Sequence, residues 1–72
     1  MKTDDVKLYD VVALLKDIPN KKLLKGQVGT AVEQLDENVF EVEFINSKGE
    51  TVALEPIHSN DLFLLHFELE KV

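Results

Sequence analysis

The amino-acid sequence predicts an all-β domain built from short strands. The clearest observation is that Phe40, Val42 and Phe44 alternate with Glu41 and Glu43. This period of two gives a strand one apolar and one acidic face, whereas a helix would distribute the phenylalanines around its axis. The other apolar runs are short and are separated by proline, glycine and asparagine, which is typical of strands joined by turns.

The first strand is predicted at residues 11–15, a run of apolar and mostly branched side chains. It ends before residues 18–20, where proline and asparagine indicate a turn. The following residues, 20–27, are polar and rich in lysine. We expect them to form a long loop that is partly tucked against the domain.

Two glycines mark the entry into the second strand. Gly26 and Gly29 allow backbone conformations that other residues rarely adopt, so we expect the loop to lead into a bent strand. The strand itself is predicted at residues 29–35. Its alternation places three side chains on one face: Val28, Thr30 and Val32.

The middle of the chain is predicted to form two hairpins. Residues 36–38 connect strand two to strand three at residues 40–44, with Asn38 as the candidate for a left-handed backbone conformation. A turn at residues 46–49 then leads to strand four at residues 50–54.

Pro56 is expected to end strand four, because proline cannot donate a hydrogen bond to a ladder. Residues 57–61 are predicted to form one turn of 3₁₀ helix, with Ser59 as its cap. The last strand is predicted at residues 62–69, which are mainly apolar.

The register of strand four stays open at this point. A four-residue turn would pair Ile45 with Glu50 and place Val52 and Leu54 on the same face as the two glutamates of strand three. A loop one residue different in length would send both side chains to the opposite face. The first arrangement exposes an apolar patch beside carboxylates, and the second is ordinary core.

Five short strands, a long first loop, tight central hairpins and one helical turn before the last strand together describe a small five-stranded SH3-like barrel. A five-stranded OB-type barrel is the alternative, but it would need a helix between strands three and four, for which the sequence has no segment. The 72 residues are predicted to form a single domain, with residues 1–7 as a flexible N-terminal segment.

Composition excludes several classes of protein. The chain has no cysteine, so it is built without disulfides or thiolate metal sites. The first five residues are acidic rather than basic, and no apolar run approaches the ~18 residues of a membrane span, so we expect a cytoplasmic protein with no membrane association.

The formal net charge of −6 is unevenly distributed. Residues 1–25 carry six lysines and four acids, giving +2, whereas residues 26–72 carry two lysines and ten acids, giving −8. Four lysines form a local positive group that we call the lysine island: Lys16, Lys21, Lys22 and Lys25. Short charge runs of this kind are usually solvated loops.

No catalytic residues are predicted. His58, Ser59 and Asp61 are residue types used in nucleophilic catalysis, but they are close neighbours on a tight turn, where their side chains splay apart. His66 lies in an apolar strand, and the two histidines lack the spacing of a metal site. Nothing in the sequence predicts a metal or other cofactor, so we expect a protein that is not an enzyme.

Nucleic-acid binding is the functional alternative. Residues 25–32 resemble the KOW motif, a loop and strand of SH3-like barrels in ribosomal proteins and transcription elongation factors that contacts RNA or protein. The negative net charge and the absence of arginine oppose this function, because binding to phosphates needs cations. Four of the five aromatic residues also lie on strand faces that are typical of core: Phe40, Phe44, Phe63 and Phe67.

Recognition of proline-rich peptides is excluded by composition. Such recognition needs a groove lined with aromatic side chains, and the chain has no tryptophan and one tyrosine. Tyr9 is therefore expected to be a packing residue at a strand edge.

The order of motifs over residues 10–65 resembles a family of small bacterial proteins, common in cyanobacteria, that is catalogued only as a domain of unknown function. The resemblance rests on residues 10–15, 17–19, 24–30, 40–44 and 49–54, with Leu62 as the closing residue. It implies an SH3-like barrel and supplies no activity or catalytic residue. A more distant similarity in fold and size is to a small SH3-like subunit of cyanobacterial photosynthetic complex I, which suggests an accessory role in an assembly.

We therefore predict a non-catalytic module that binds an unidentified protein partner or itself. The candidate interaction surface combines the lysine island with Glu41 and Glu43. The last strand is longer and more apolar than so small a barrel needs, which predicts a homodimer through one of its faces. That face consists of Phe63, Leu65, Phe67 and Leu69.

Overall fold

The structure, a computed structural model, describes residues 6–65. The strands are β1 (Val11–Leu14), β2 (Val28–Asp36), β3 (Val39–Ile45), β4 (Thr51–His58) and β5 (Leu62–Leu64). Two single turns of 3₁₀ helix accompany them, the first at Pro19–Lys21 and the second at Ser59–Asp61.

All five strands belong to one antiparallel sheet with the order β4-β3-β2-β1-β5. The chain therefore meanders from β1 to β4 and then returns, through the second 3₁₀ turn, to place β5 against the free side of β1. This is the strand order of an SH3-like barrel. The predicted all-β class, the number of strands and the helical turn before the last strand are confirmed.

The core lies on the inner face of the curved sheet. It consists of Val12, Leu14, Leu23, Ala31, Phe40, Val42, Phe44, Ile57 and Leu62, each at most 6% exposed. The alternation predicted for β3 is confirmed, because its phenylalanines and Val42 are buried. Burial of a Phe or Leu side chain contributes about 1.5–3 kcal/mol to folding, which makes this cluster the main source of stability.

The long loop between β1 and β2 contributes one core residue. Leu23 is 2% exposed, and Ile18 and Leu23 exchange two backbone hydrogen bonds of 2.8 and 3.2 Å. This isolated pairing folds the loop back on itself and directs Leu23 inward. The expectation of a partly tucked loop is therefore confirmed.

Residues on β2 divide between the two faces of the sheet. Gly29 and Ala31 are buried on the core face, whereas Val28 is 47% exposed. The face that Val28 and Thr30 are predicted to share is therefore the outer face of the sheet. A register shift between Ala31 and Glu33 interrupts the regular alternation at Val32.

Strand β4 runs past the proline that was expected to end it. Pro56 lies within β4, opposite Glu41 of β3. The prediction was wrong because β4 is an edge strand, where a backbone nitrogen that faces away from the sheet has no ladder hydrogen bond to lose.

Two predictions about turns were also wrong. Asn38 does not have a positive φ, and among the described residues other than glycine only Tyr9 and Lys22 do. The cap of the second 3₁₀ turn is His58, not Ser59, because the Nδ1 atom of His58 accepts a 3.0 Å hydrogen bond from the backbone N–H of Asn60.

Within the described residues β5 ends at Leu64, and the remainder of the strand predicted at 62–69 lies outside them from His66 onward. Its pairing with β1 places Leu62 and Leu64 on the core face and Phe63 on the outer face. Phe63 is 55% exposed, so its grouping with the core aromatic residues was wrong, whereas its place on the face predicted for self-association stays a prediction.

Candidate interaction surface

The register between β3 and β4 places Leu54 on the outer face of the sheet. Ile45 pairs with Thr51, so five residues separate these strands rather than four. A bulge then shifts the ladder by one residue, and Phe44 pairs with Ala53. As a result Leu54 lies directly opposite Glu43. The loop is one residue longer than the four-residue turn, and the bulge shifts the pairing by one residue in compensation. The structure therefore has the arrangement in which apolar side chains lie beside carboxylates.

Exposed apolar residues cross the outer face from one edge toward the other. Phe63 of β5 is opposite Ala13 of β1, and Ala13 is opposite Val28 of β2. Ile45 of β3 lies next to Val28, because Gly29 pairs with Phe44 and these two residues come directly after Val28 and before Ile45. Together with Leu54 these residues form what we call the outer strip: Phe63, Ala13, Val28, Ile45 and Leu54.

The outer strip is open to solvent. Its four large side chains are 47–55% exposed, and Val52, which forms the bulge beside it, is 52% exposed. Single exposed apolar residues are common on protein surfaces, whereas contiguous ones mark interaction sites. The sequence did not reveal the strip as a unit, because its members come from five different strands.

The glutamates of the outer face lie beside the outer strip. Glu41 and Glu43 are half-buried on β3, and the hydroxyl of Thr51 donates a short hydrogen bond to Oε2 of Glu43. Glu33 of β2 is directly opposite Glu41. None of the residues in β2, β3 or β4 is a lysine, so this part of the sheet presents carboxylates without cations of its own.

The lysine island is divided among different contacts. Lys16 forms a 3.1 Å ion pair with Asp61 of the second 3₁₀ turn, and Lys21 forms a 3.5 Å ion pair with Glu55 of β4. Lys22 ends the first 3₁₀ turn in a left-handed conformation with φ 61°. The backbone N–H of Lys25 donates to Oδ1 of Asp17.

Glu55 belongs to the surface around the lysine island, although the sequence pattern alone does not identify it. It lies opposite the buried Val42, on the inward side of β4, and its side chain is 21% exposed. Lys21 reaches it from the long loop. The signal was present in the alternation of Ala53, Glu55 and Ile57, but it could be used only once the register of β4 was known.

The residues considered for catalysis do not assemble. His58 uses Nδ1 to cap the second 3₁₀ turn, and the carboxylate of Asp61 pairs with Lys16. Within residues 6–65 there is no group of three or more histidine, aspartate or glutamate side chains placed to hold a metal ion. His66 lies outside the described residues. No helix in the described part of the chain is long and apolar enough to span a membrane.

Tyr9 occupies an unexpected conformation. Its φ is 71°, its side chain is 72% exposed, and its backbone N–H donates a 2.5 Å hydrogen bond to the carbonyl of Ala31. A bulky residue at positive φ is uncommon because its Cβ crowds the backbone. The expectation of a packing role for Tyr9 was therefore wrong, since the ring is presented to solvent together with the half-exposed Leu8.

These features define a small SH3-like β-barrel domain with an apolar and acidic outer face. The chain belongs to the family DUF4926, described as a domain of unknown function, whose model matches residues 8–64. This match confirms the prediction, made from residues 10–65, that the chain belongs to a family catalogued as a domain of unknown function. No curated protein and no solved structure matches the chain.

Proposed function

We propose that this domain is a non-catalytic protein-binding module, acting as a small accessory subunit or by self-association. The observation that carries the proposal is the outer strip, in which four large apolar side chains from β5, β2, β3 and β4 are about half exposed on one face. Covering these side chains with a partner removes apolar surface from water, which is the main driving force for protein association.

Self-association through β5 is the specific form that we propose. Within residues 6–65, β5 is an edge strand of the sheet and pairs with β1, so its second side offers backbone hydrogen-bonding groups to another strand. Phe63 stands on its outer face, and Leu65, the residue after β5, donates its backbone N–H to the carbonyl of Val11. Two copies joined edge to edge through β5 would bring their Phe63 side chains together and extend the outer strip across the dimer.

Sedimentation velocity of the full chain tests this form. We expect a concentration-dependent dimer in the micromolar range that is weakened by Phe63→Ser. The matched control is Leu35→Ser, which removes a leucine of similar exposure near the far end of β2 and should leave the dimer unchanged. A monomer at high micromolar concentration would contradict self-association.

Binding to a different protein is tested by affinity capture with nuclease present, so that contacts through RNA are removed. We expect the Leu35→Ser variant to capture the same proteins as the unchanged domain. A Val28→Ser, Phe63→Ser double variant should no longer capture them. If the protein is monomeric and the captured set is the same for both variants, the outer strip is not the binding surface.

A further inference from the structure

The residues on the outer face of β3 and β4 indicate a more specific kind of partner. We propose that this half of the outer face binds a basic amphipathic helix of a partner protein, in which lysine or arginine side chains flank a row of leucine-like side chains. This inference rests on the proposed function and names the chemistry of the partner. It follows from the charge of the two strands, from their apolar residues and from the spacing between them.

The charge is of one sign and is concentrated. Glu33 and Glu41 are directly opposite each other across the β2–β3 ladder, and Glu43 is the next outward-facing residue along β3. Like charges in directly opposed positions repel one another and destabilise a sheet. Because β2, β3 and β4 contain no lysine, the neighbouring residues of these strands offer no compensating cation. A bound cationic side chain would relieve this repulsion.

The apolar residues lie immediately beside the carboxylates. Leu54, which is 48% exposed, is opposite Glu43, while Ile45 and Val52 at the same end of the hairpin are each 52% exposed. Leu54 and Pro56 thus form an apolar column along β4, and Glu43 and Glu41 form an acidic column along β3.

The spacing of the two columns suits a helix. Neighbouring strands are about 4.8 Å apart, and a helix with its side chains is about 10 Å wide, so one helix spans both columns. Its apolar flank would cover Leu54 and Val52, and its basic flank would meet Glu41 and Glu43. Fields of opposite sign also accelerate such an encounter and make it sensitive to salt.

Other occupants fit this half of the face less well. A second copy stacked on it about a two-fold axis would bring the same glutamates against each other. RNA is a polyanion and would be repelled by Glu33, Glu41 and Glu43. An apolar segment without cations would bury the carboxylates without partners, at a cost in free energy.

The test measures binding of a fluorescent synthetic peptide of lysine, leucine and alanine arranged with helical amphipathic period. A scrambled peptide of the same composition controls for charge alone, and a version with glutamate in place of lysine controls for apolar contact alone. With the full chain we expect binding of the amphipathic lysine peptide, at least fivefold tighter than either control and weakened by added salt.

Variants of the protein locate the site. Glu41→Gln combined with Glu43→Gln, and separately Leu54→Ser, should each weaken binding at least fivefold. The matched control is Asp36→Asn combined with Glu37→Gln, which makes the same change of net charge at the hairpin tip and should leave binding within twofold. Circular dichroism and thermal melts check that every variant is folded.

The inference would be overturned by no binding of the amphipathic lysine peptide, by equal binding of its scrambled form, or by equal weakening in the two double variants of the protein. Binding of an oligouridylate in place of the peptide would also overturn it. None of these results contradicts the proposed function if Phe63→Ser weakens the dimer or the Val28→Ser, Phe63→Ser variant loses captured proteins. The failure of the two proposals is therefore distinguishable.

Discussion

Gly29 lies directly opposite Phe44 across the β2–β3 ladder, and the phenylalanine side chain occupies the space that a Cβ atom on the glycine would need. A Cβ built on Gly29 would lie 2.8 Å from Cδ1 of Phe44, from Cγ1 of Val42 and from the carbonyl oxygen of Glu43. Glycine is therefore required here for close approach of two strands and not for a turn.

Gly29→Ala is expected to destabilise the protein by about 1–3 kcal/mol, because the core has no room for the added methyl group. Chemical denaturation measures this change in the free energy of unfolding. Gly49→Asn is the control, since the space around Gly49 is open and asparagine tolerates its positive φ of 81°. If Gly29→Ala lowers the free energy of unfolding no more than Gly49→Asn does, β2 can move away from Phe44 to make room for the methyl group.

Tyr9→Gly is expected to raise the free energy of unfolding by about 1 kcal/mol, because glycine adopts a positive φ without the steric cost that tyrosine carries. Little packing would be lost, since the tyrosine is 72% exposed. Thermal denaturation is the measurement. Leu8→Gly, at a neighbouring residue without positive φ, should lower stability, and a similar loss at both positions would contradict the strain at Tyr9.

His58→Ala is expected to cost about 1 kcal/mol, the usual effect of losing a side chain that caps a helical turn. The backbone N–H of Asn60 would lose its acceptor. His58→Asn should recover most of the stability, because its side-chain oxygen can accept the same hydrogen bond. Urea denaturation of the three proteins checks the order, and equal stability of the alanine and asparagine variants would exclude a capping role.

The ion pair between Lys21 and Glu55 is expected to contribute about 0.5–1 kcal/mol at low salt, near the upper end for surface pairs, because the Glu55 side chain is largely shielded. A double-mutant cycle with Lys21→Gln and Glu55→Gln measures the coupling. The pair of Lys16 with Asp61 is more exposed and should couple more weakly. Equal coupling in the two cycles would mean that the burial of Glu55 has no effect.

RNA binding is expected to be weak and to disappear at physiological salt. Two of the four lysines in the lysine island are already paired with carboxylates, and the net charge of the chain is −6. Filter binding with a single-stranded RNA at several salt concentrations is the measurement. Tight binding that drops when Lys21, Lys22 and Lys25 are changed to glutamine would support the KOW-type alternative instead.

Much of the fold could be predicted because it depends on local pattern. The alternation around Phe44 identified β3, and the positions of proline and glycine separated the strands. The errors occurred where a residue's conformation depends on its neighbours in space. Proline predicts a strand end at residue 56 unless the strand lies at a sheet edge, as β4 does, and Asn38 favours a left-handed backbone that the β2–β3 turn does not use.

The candidate site was less predictable. The alternation predicts Glu41 and Glu43 as one face of a strand, but it groups Phe63 with the core aromatic residues as well as with the self-association face, and it gives no role to Glu55. Whether a strand residue faces the core or the solvent depends on the register of pairing, and a shift of one residue reverses it. The five-residue separation of Ile45 and Thr51 and the bulge at Val52 together decided that Leu54 faces outward beside Glu43.

The order of residues along the chain was enough to establish an all-β barrel of five strands, an acidic face on β3 and a lysine-rich loop, since each follows from composition and periodicity within a few neighbouring residues. The tertiary structure decided the rest: which lysines meet carboxylates, which residue caps the second 3₁₀ turn, and how Phe63, Ala13, Val28, Ile45 and Leu54 join into one strip. Those relationships connect residues distant in sequence, and packing around the core selects them through the registers of four strand pairs.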